Sequence, residues 1–369
     1  MKLPAEVEFI YLLDADSRPA AATLDRLLAT LVEQRDVPFA QGLNCGRAPN
    51  DATPFQRAYA KSIDFGWWLT IPSSERYGFP FALGHNVLLR RLAIEETGGL
   101  PEVVGEDVAW TLAIRTAGWS AGAVVADALA DEEPPRDPTR YLERQARWTR
   151  SDLDLLLRSR PRLLSLGKRS PTELAFALAW LTQLPTGALA PVAPAAIGLL
   201  CAAMGTSATA TSTWVALGLL LVAQAGPAML WTPRVPRASA LSTLLCWWPL
   251  MLHASSAQLS GLAATLSRRR LEFRATGRDG DSEETRPPLW LAPLLLAGPA
   301  LALAADPFLA AGLAILGLAF AGAATSHRFP VAAGSAWSLL LLSYVLIAVT
   351  AGRPDTALLV LAPLHVAEF

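Results

Sequence analysis

Charged side chains are almost absent from two long stretches of the chain. Residues 172–267 hold three of them, Glu173, Arg234 and Arg237, in 96 positions, and residues 289–369 hold five in 81. A helix needs about 20 mainly apolar residues to cross a bilayer, and the two stretches divide into six to eight apolar segments of roughly that length or shorter. The pattern predicts an α/β N-terminal domain, residues 1–150, followed by an all-α domain of membrane-spanning helices in residues 172–267 and 289–369.

The composition excludes several classes of protein. The formal net charge is −1, from 31 basic and 32 acidic residues, which excludes a strongly basic nucleic-acid binder and an acidic disordered protein. Three scattered cysteines form no C-x-x-C pair and four histidines form no ligand spacing, which argues against a zinc site or a disulfide framework. Phe9–Leu13 is too short for a signal peptide. We therefore expect residues 1–150 to lie in the cytoplasm and the chain to lie in the cell (inner) membrane.

Basic residues indicate how the predicted spans are oriented. Residues 268–278 contain five arginines and should face the cytoplasm, so residues 268–288 are predicted to be a cytoplasmic loop. An even number of crossings must then separate this loop from residues 1–150. Four crossings are favoured, and two crossings with a membrane-surface helix are the alternative. Residues 151–171 mix leucines with arginines, a pattern typical of an amphipathic helix at the membrane interface.

The N-terminal domain alternates predicted strands with predicted helices. Short apolar runs that end in polar residues predict strands at Val7–Leu13, Phe39–Leu43 and Ala121–Leu129. Helical spacing, N-cap residues and terminal glycines predict helices at Ala21–Glu33, Pro54–Trp68, Arg91–Thr97, Glu106–Gly118 and Asp137–Arg158. Such alternation is typical of a parallel α/β sheet.

Two aspartates follow the first predicted strand. Asp14 and Asp16 stand two residues apart, so in an extended chain both carboxylates lie on one side. Ligands of open α/β sheets bind beyond the carboxyl ends of the strands, and Mg²⁺ is often held by one or two carboxylates together with substrate phosphates. A divalent-cation site is one interpretation. A polar turn is the other, because Asp and Ser are common turn residues.

Two further motifs combine residue types that are suited to chemistry. Glu106-Asp107 begins a predicted helix, where the helix dipole stabilises acids; the functional alternative is a general base that takes a proton from a hydroxyl. In the last predicted helix Gln145 and Trp148 share one face, beside Arg147. These side chains suit a phosphate and a sugar ring, or else a basic helix that packs its tryptophan at the membrane surface.

Taken in order, the motifs resemble those of one family. Asp14-Ala15-Asp16, Glu106-Asp107 and Gln145–Trp148 are similar to the D-x-D, (T)ED and Q-x-x-R-W motifs of family 2 glycosyltransferases. The resemblance is to their processive, membrane-embedded branch, the cellulose synthase-like enzymes and the periplasmic glucan glucosyltransferases. Gly84–Asn86 resembles the latter, and Phe273–Arg278 resembles the gating loop of cellulose synthases. The resemblance covers about residues 7–290 and implies part of a GT-A, Rossmann-like domain that binds a nucleotide sugar.

The resemblance implies roles for residues that bind the sugar donor. Asp14 and Asp16 would bind Mg²⁺ or Mn²⁺ at the diphosphate of a nucleotide sugar, for which UDP-glucose is the expected compound. Arg147 would neutralise the leaving diphosphate. Thr276 and Arg278 would belong to a loop that closes over the bound nucleotide.

It also implies roles for residues that serve the acceptor. Asp107 would be the catalytic base of a single inverting displacement, and Trp148, Gln145 and Glu106 would contact the acceptor. The acceptor would be a growing polysaccharide such as a β-glucan. The other expected partner is the lipid bilayer, and no nucleic acid is expected to bind. A non-processive transferase with a lipid-linked acceptor is the alternative. The chain departs from the family at Arg144, where the motif usually begins with Gln.

The remaining expectations concern the start of the chain, the side chains of His85 and Trp67-Trp68, and an alternative class of protein. In the family, the first sheet strands and the aspartates that read uracil and ribose precede the metal motif, so the chain is expected to lack an N-terminal part and to be inactive by itself. His85 is expected to be a hydrogen-bonded loop residue, with a place in the lining of the cleft as the alternative. Trp67-Trp68 are expected to be anchors in the core or at an interface, with contact to a glucan as the alternative. A transporter or membrane scaffold is the alternative class, but transporters place ionisable residues within their spans, and here the spans hold almost none.

Overall fold

A computed structural model describes residues 4, 6–53, 56–57, 59–60, 63, 67–68, 71–76, 78–135 and 138–187, and the single positions 258, 261, 262, 265, 311 and 314. The membrane spans predicted after residue 187 and the predicted loop 268–288 lie outside this set, apart from those single positions. Thr276 and Arg278 also lie outside it, so their contacts with a nucleotide stay predictions.

The described residues form strands and helices that alternate along the chain. In order they are β1 Phe9–Leu12, β2 Arg18–Pro19, α1 Thr23–Glu33, β3 Phe39–Gly46, α2 Ile71–Arg76, β4 Val87–Arg90, α3 Arg91–Glu96, α4 Glu106–Ala117, β5 Ala123–Glu132, α5 Pro138–Arg158, α6 Arg160–Arg169 and α7 Pro171–Gly187. Proline suits the first position of α5, because an N–H in the first turn has no partner within the helix. Gly118 ends α4 with a φ of 105°, a left-handed conformation that suits glycine.

The strands form one sheet in the order β1-β4-β3-β5-β2. β4 runs antiparallel to β1 and β3, β3 and β5 are parallel, and β2 is antiparallel to β5. The prediction of a parallel sheet is therefore wrong for the sheet as a whole, because the sequence pattern did not predict the antiparallel strands β2 and β4. β4 passes directly into α3 with no turn between them, and β2 is two residues long. The three predicted strands, β1, β3 and β5, do run in one direction, so their carboxyl ends meet at one edge.

Helices cover both faces of this sheet. α1 buries Leu27 and Leu31 on one face, in a core that includes Leu88 of β4. Successive side chains of a strand point to opposite faces, and Leu89 accordingly packs on the other face with Trp110 of α4. The sheet therefore lies between two helical layers, and α4 is the central helix of one of them.

A further layer of helices packs on the outer side of α4. Val108–Arg115 are all buried, and Leu112 shares a core with Leu155 of α5 and with Leu163 and Leu166 of α6. A helix that is buried on two sides has no single apolar stripe. α4 is thus held firmly between the sheet and the helices that follow it, which fixes the position of the acids at its start.

Residues 151–171, predicted to be one interfacial helix, fold as the end of α5 and as α6, with a break at Ser159. Leu163 and Leu166 are buried in the core described above, whereas Leu157 is 48 % exposed and Leu164 is 67 % exposed. Part of the apolar face therefore packs on protein. The position of this segment at a membrane interface stays a prediction.

Helix α7 covers most of the first predicted span, Thr172–Leu189. It is 17 residues long and contains Pro185. Leu181 joins the core of α4, and Trp180 stacks on Phe81 with ring centroids 4.6 Å apart. No helix in the described part of the chain combines the length and the apolar content that crossing a membrane requires.

Contacts between residues divide the chain into two compact units. The first unit contains the described residues up to Pro134 and those of Ser151–Thr182, and it includes the whole sheet. The second unit contains the described residues of Pro135–Arg150 and those after Thr182. Helix α5 therefore supplies residues to both units.

Candidate active site

Polar side chains collect at the edge of the sheet where β1, β3 and β5 end. Asp14 follows β1, Asn44 lies near the end of β3, and Glu132 is the last residue of β5. His85 lies two residues before β4, which begins at this edge because it runs antiparallel to its neighbours. In open α/β sheets this edge is where ligands bind, so we consider it the candidate active site.

His85 lies between two carboxylates at this edge. Its Nδ1 is 3.2 Å from Oδ2 of Asp14, its Nε2 is 4.0 Å from Oε2 of Glu132, and the ring of Trp67 lies 5.1 Å away, centroid to centroid. Burial by itself lowers the pKa of His85, but the hydrogen bond to Asp14 and the charges of Glu132, Asp14 and Asp107 outweigh burial and raise it. His85 is thus hydrogen-bonded, as expected, and is also part of the cleft.

A buried amide network fixes the loop Gly84–Asn86. Gln41 donates from Nε2 to two backbone carbonyls of this loop. Asn86 has a φ of 48°, which asparagine adopts more readily than most residues, and it donates from Nδ2 to the carbonyls of Leu43 and Ala128. Both amide side chains are fully buried. Replacing either one would leave unpaired polar groups in the core, so the network holds His85 in place.

Glu132 is a candidate that the sequence pattern did not reveal. Its side chain is buried, and its Oε2 accepts a hydrogen bond of 3.2 Å from Nδ2 of Asn44. Burial raises the pKa of Glu132, although His85 and the hydrogen bond from Asn44 oppose the rise. In the sequence Glu132 begins an acidic, proline-rich segment that is typical of a loop. Its position at the end of a strand parallel to β1 is the signal that identifies it.

Asp107 lies in the first turn of α4, beside the loop that carries His85. Its Oδ1 accepts a hydrogen bond of 2.8 Å from the backbone N–H of Val108. Its Oδ2 faces Gly84 so closely that a Cβ there would lie 3.1 Å away. Burial and the charge of Glu106 raise the pKa of Asp107 to about 6. Such a carboxyl group is ionised at neutral pH and is a stronger base than an ordinary aspartate.

Asp152 is a second carboxyl group near Asp107 that the sequence pattern did not reveal. It is buried on α5, and burial together with the charge of Asp107 raises its pKa well above the ordinary value. The preceding residue, Ser151, donates a hydrogen bond of 2.6 Å to the carbonyl of Val104. A Cβ at Gly105, the residue before α4, would collide with Oγ of Ser151. α5 therefore packs directly on the turn that positions Asp107.

Asp14 and Asp16 carry the donor atoms that suit a divalent cation. Both are exposed at the turn after β1. Mg²⁺ commonly takes one or two protein carboxylates and completes its coordination with phosphate oxygens and water. In the described part of the chain no group of three or more His, Cys, Asp or Glu side chains is arranged to hold a metal ion. The two aspartates fit a cation that binds together with the diphosphate of a substrate.

The Gln145–Trp148 motif belongs to the second unit. Gln145 is buried, and its Oε1 accepts a hydrogen bond of 3.3 Å from Nε2 of Gln258. The guanidinium of Arg144 lies 4.8 Å from the ring centroid of Trp148, which is 40 % exposed. The predicted contacts of Gln145 and Trp148 with an acceptor, and of Arg147 with a diphosphate, stay predictions.

The first unit therefore brings together one part of the predicted site. Asp14 and Asp107 both raise the pKa of His85, and Asp16 raises the pKa of Glu132. Glu106 stands in the same turn as Asp107. These acids come from β1, α4 and β5, which lie far apart in the sequence.

A mixed sheet between helical layers, with an acidic cleft where its parallel strands end, is consistent with a GT-A-like domain. The model of the family described as glycosyl transferase family group 2 matches residues 9–266, which is most of the chain. The chain therefore belongs to this family, and the protein is a glycosyltransferase, as the ordered motifs predicted. Such an enzyme transfers the sugar of a nucleotide sugar to an acceptor and releases the nucleotide part, and GT-A enzymes of family 2 commonly use a divalent cation. No curated protein matches the chain.

Proposed function

We propose that the protein is a membrane-bound, inverting glycosyltransferase that transfers glucose from UDP-glucose to a growing polysaccharide such as a β-glucan. The observation that carries the proposal is the position of His85, which is hydrogen-bonded to Asp14 of the cation motif and interacts with the charge of Asp107. Membership of the family supports sugar transfer. The scarcity of charged residues in 172–267 and 289–369 supports a location in the cell membrane, with the domain at residues 1–150 in the cytoplasm.

On the donor side, Asp14 and Asp16 would hold Mg²⁺ or Mn²⁺. A bound divalent cation neutralises charge that develops on the leaving nucleoside diphosphate. Arg147 would bind the diphosphate through its planar guanidinium. Thr276 and Arg278 would belong to a loop that closes over the nucleotide and excludes water.

On the acceptor side, Asp107 would accept the proton of the attacking hydroxyl group. As this proton leaves, the acceptor oxygen forms a bond to the anomeric carbon, and the bond from that carbon to the diphosphate oxygen breaks. Attack from the face opposite the leaving group inverts the configuration. Trp148 would stack on the acceptor sugar, and Gln145 and Glu106 would hydrogen-bond its hydroxyl groups.

The test is a transfer assay in membranes from cells that produce the protein from its complete gene. Labelled UDP-glucose, UDP-N-acetylglucosamine and GDP-mannose are offered with Mg²⁺ or Mn²⁺, and product is separated by chain length. We expect label from UDP-glucose in long chains, and its loss in Asp14→Asn and Asp107→Asn. Asp25→Asn, which changes an exposed acid in the first turn of α1, is the matched control and should transfer normally.

Each other outcome identifies a different function. Incorporation of single sugars into a lipid fraction would identify a non-processive transferase with a lipid-linked acceptor. Long chains from another nucleotide sugar would keep the reaction and change the donor. Absence of transfer from every donor, in a protein that is folded and membrane-inserted, would support a membrane scaffold or transporter with a degenerate cytoplasmic domain.

A further inference from the structure

We infer that His85 and Glu132 form a positioning pair that orients the carboxylate of Asp14 toward the cation at the donor diphosphate. The inference rests on the proposed function and adds two residues to it. Neither residue is assigned a role by the D-x-D, (T)ED or Q-x-x-R-W motifs, and both lie at the carboxyl edge of the sheet.

The direction of the hydrogen bond follows from the chemistry of its two partners. An ionised carboxylate only accepts hydrogen bonds, so Nδ1 of His85 donates to Oδ2 of Asp14, 3.2 Å away. Nε2 then faces Oε2 of Glu132 at 4.0 Å, which is too long for a hydrogen bond. Glu132 therefore acts on the imidazole through its charge.

The surrounding protein restrains the imidazole of His85 and the carboxylate of Glu132. Asn44 is fully buried and donates to Glu132. Gln41 fixes the backbone on both sides of the imidazole, because it accepts from the N–H of Leu83 and donates to the carbonyls of His85 and Asn86. The side chain of Asp14 lies at the turn after β1 and is 59 % exposed.

An exposed side chain loses rotamer freedom when it binds a ligand, and that loss weakens binding. A hydrogen bond from a rigid imidazole restrains Asp14 beforehand. Groups that orient a metal ligand in this way typically contribute about 10-fold to 100-fold to metal affinity. His85 and Glu132 are thus expected to affect the affinity for the cation.

The test measures Mn²⁺ binding directly, by the loss of the electron paramagnetic resonance signal of free Mn²⁺ in the presence of UDP. In the purified full-length protein we expect His85→Ala to weaken Mn²⁺ binding about 10-fold. His85→Asn should restore most of the affinity, because its amide nitrogen occupies nearly the position of Nδ1. His85→Gln should not, because its amide nitrogen occupies nearly the position of Nε2, which faces Glu132.

Glu132 is tested in the same way, and Glu133, its neighbour in the sequence, provides the matched control. Glu132→Gln keeps the acceptor for Asn44 and removes the charge, so it should weaken Mn²⁺ binding by a smaller factor than His85→Ala. Glu133→Gln removes the neighbouring charge and should leave binding unchanged. In transfer assays His85→Ala should raise the Mn²⁺ concentration needed for half-maximal rate.

The outcomes separate this inference from the proposed function. A wild-type protein that does not bind Mn²⁺ with UDP would overturn both. Wild-type binding together with equal binding by a folded His85→Ala would overturn the inference alone, as would equal rescue by His85→Asn and His85→Gln. Circular dichroism of each variant shows whether it is folded.

Discussion

The two ends of helix α4 both carry charged side chains, but their surroundings differ. At the start, Asp107 has the acids Glu106 and Asp152 near it, and its pKa is raised to about 6. At the end, Arg115 donates two hydrogen bonds, of 2.6 and 3.0 Å, to the carboxylate of Glu173. These two side chains are only 10 % and 16 % exposed.

The difference is the one that we expect between a structural charge and a functional charge. Arg115 and Glu173 satisfy each other, and their pairing connects α4 to α7, which are distant in the sequence. Asp107 is kept among other acids, an arrangement that lowers stability at neutral pH and raises basicity. Such under-compensated carboxyl groups are found preferentially at catalytic sites. The predictions below test whether the two ends of α4 do differ in this way.

The largest effect is expected from Asp107→Asn, which removes the proposed base and changes few contacts. General-base catalysis contributes typically about 10²-fold to 10⁴-fold, so kcat of sugar transfer should fall by about 10³-fold. The measurement is the steady-state rate of sugar transfer at saturating donor, in membranes from cells that produce the protein. Binding of UDP with Mn²⁺ should stay close to wild type, because Asp107 serves the acceptor. A variant that retains a tenth or more of the wild-type kcat would show that Asp107 is not the base.

The next effect is on stability and comes from the other end of the helix. Arg115→Ala leaves the carboxylate of Glu173 without its partner in a nearly buried place, and breaking such a pair typically costs about 4 kcal/mol in the free energy of unfolding. Denaturant unfolding followed by circular dichroism measures the loss. The fraction that remains folded should keep its specific transfer activity.

A double variant shows whether the cost comes from an unpaired charge. Replacing both partners by methionine removes the two charges and keeps most of the packing. Exchange of a buried ion pair for apolar residues of similar volume is often neutral, so Arg115→Met with Glu173→Met should be much more stable than Arg115→Ala. A double variant as unstable as the single one would assign the loss to packing.

The third effect is the dependence of stability on pH that Asp107 introduces. Below about pH 4 the carboxyl group is neutral in both the folded and the unfolded state. Between about pH 4 and 6 the unfolded state ionises first, so the stability of the wild-type protein falls as the pH rises. The rise of the pKa of Asp107 from its ordinary value of 3.8 to about 6 corresponds to about 3 kcal/mol. Asp107→Asn should therefore be more stable than wild type at pH 7, by up to that amount.

The two pH values provide an internal control for this prediction. Denaturant unfolding at pH 3.5 and at pH 7 gives the difference in the free energy of unfolding between Asp107→Asn and wild type. This difference should be near zero at pH 3.5. A constant difference at both values would mean that the amide alters packing, and that the burial of the carboxylate is not the cause.

Much of the fold of the first unit could be predicted from local sequence patterns. The helix at Glu106–Gly118 was predicted from acids at its start and a glycine at its end, and α4 has nearly those bounds. β4 was not predicted, because Val87–Arg90 has no turn between it and α3. Sheet order depends on contacts between distant strands, and therefore the insertion of β4 between β1 and β3 has no local signal.

The residues of the candidate site also fall into two groups, those that a local sequence motif indicates and those that only the fold reveals. Asp14 and Asp107 stand in short motifs with recognisable spacing, so the sequence made them candidates. Glu132 and Asp152 matter through burial and through neighbours from other elements, and neither property can be read from the residues around them. For His85 a hydrogen-bonded loop residue was favoured over a cleft residue, because its contact with Asp14 depends on how β1 and β4 pair.

The smallest effect is expected at an ion pair that has the same N–O distance as the pair of Arg115 and Glu173 but is more exposed to solvent. Arg91 and Glu95 on α3 are 2.6 Å apart, the same distance as Arg115 and Glu173, but Glu95 is 55 % exposed. Exposed pairs one helical turn apart contribute only about 0.3–0.5 kcal/mol. Glu95→Gln should therefore reduce the free energy of unfolding by no more than about 0.5 kcal/mol, and salt should diminish this loss. Glu173→Gln, measured beside it, should cost several times as much. Equal losses would mean that distance, and not burial, determines the contribution of these pairs, and the contrast between the two ends of α4 would lose its physical basis.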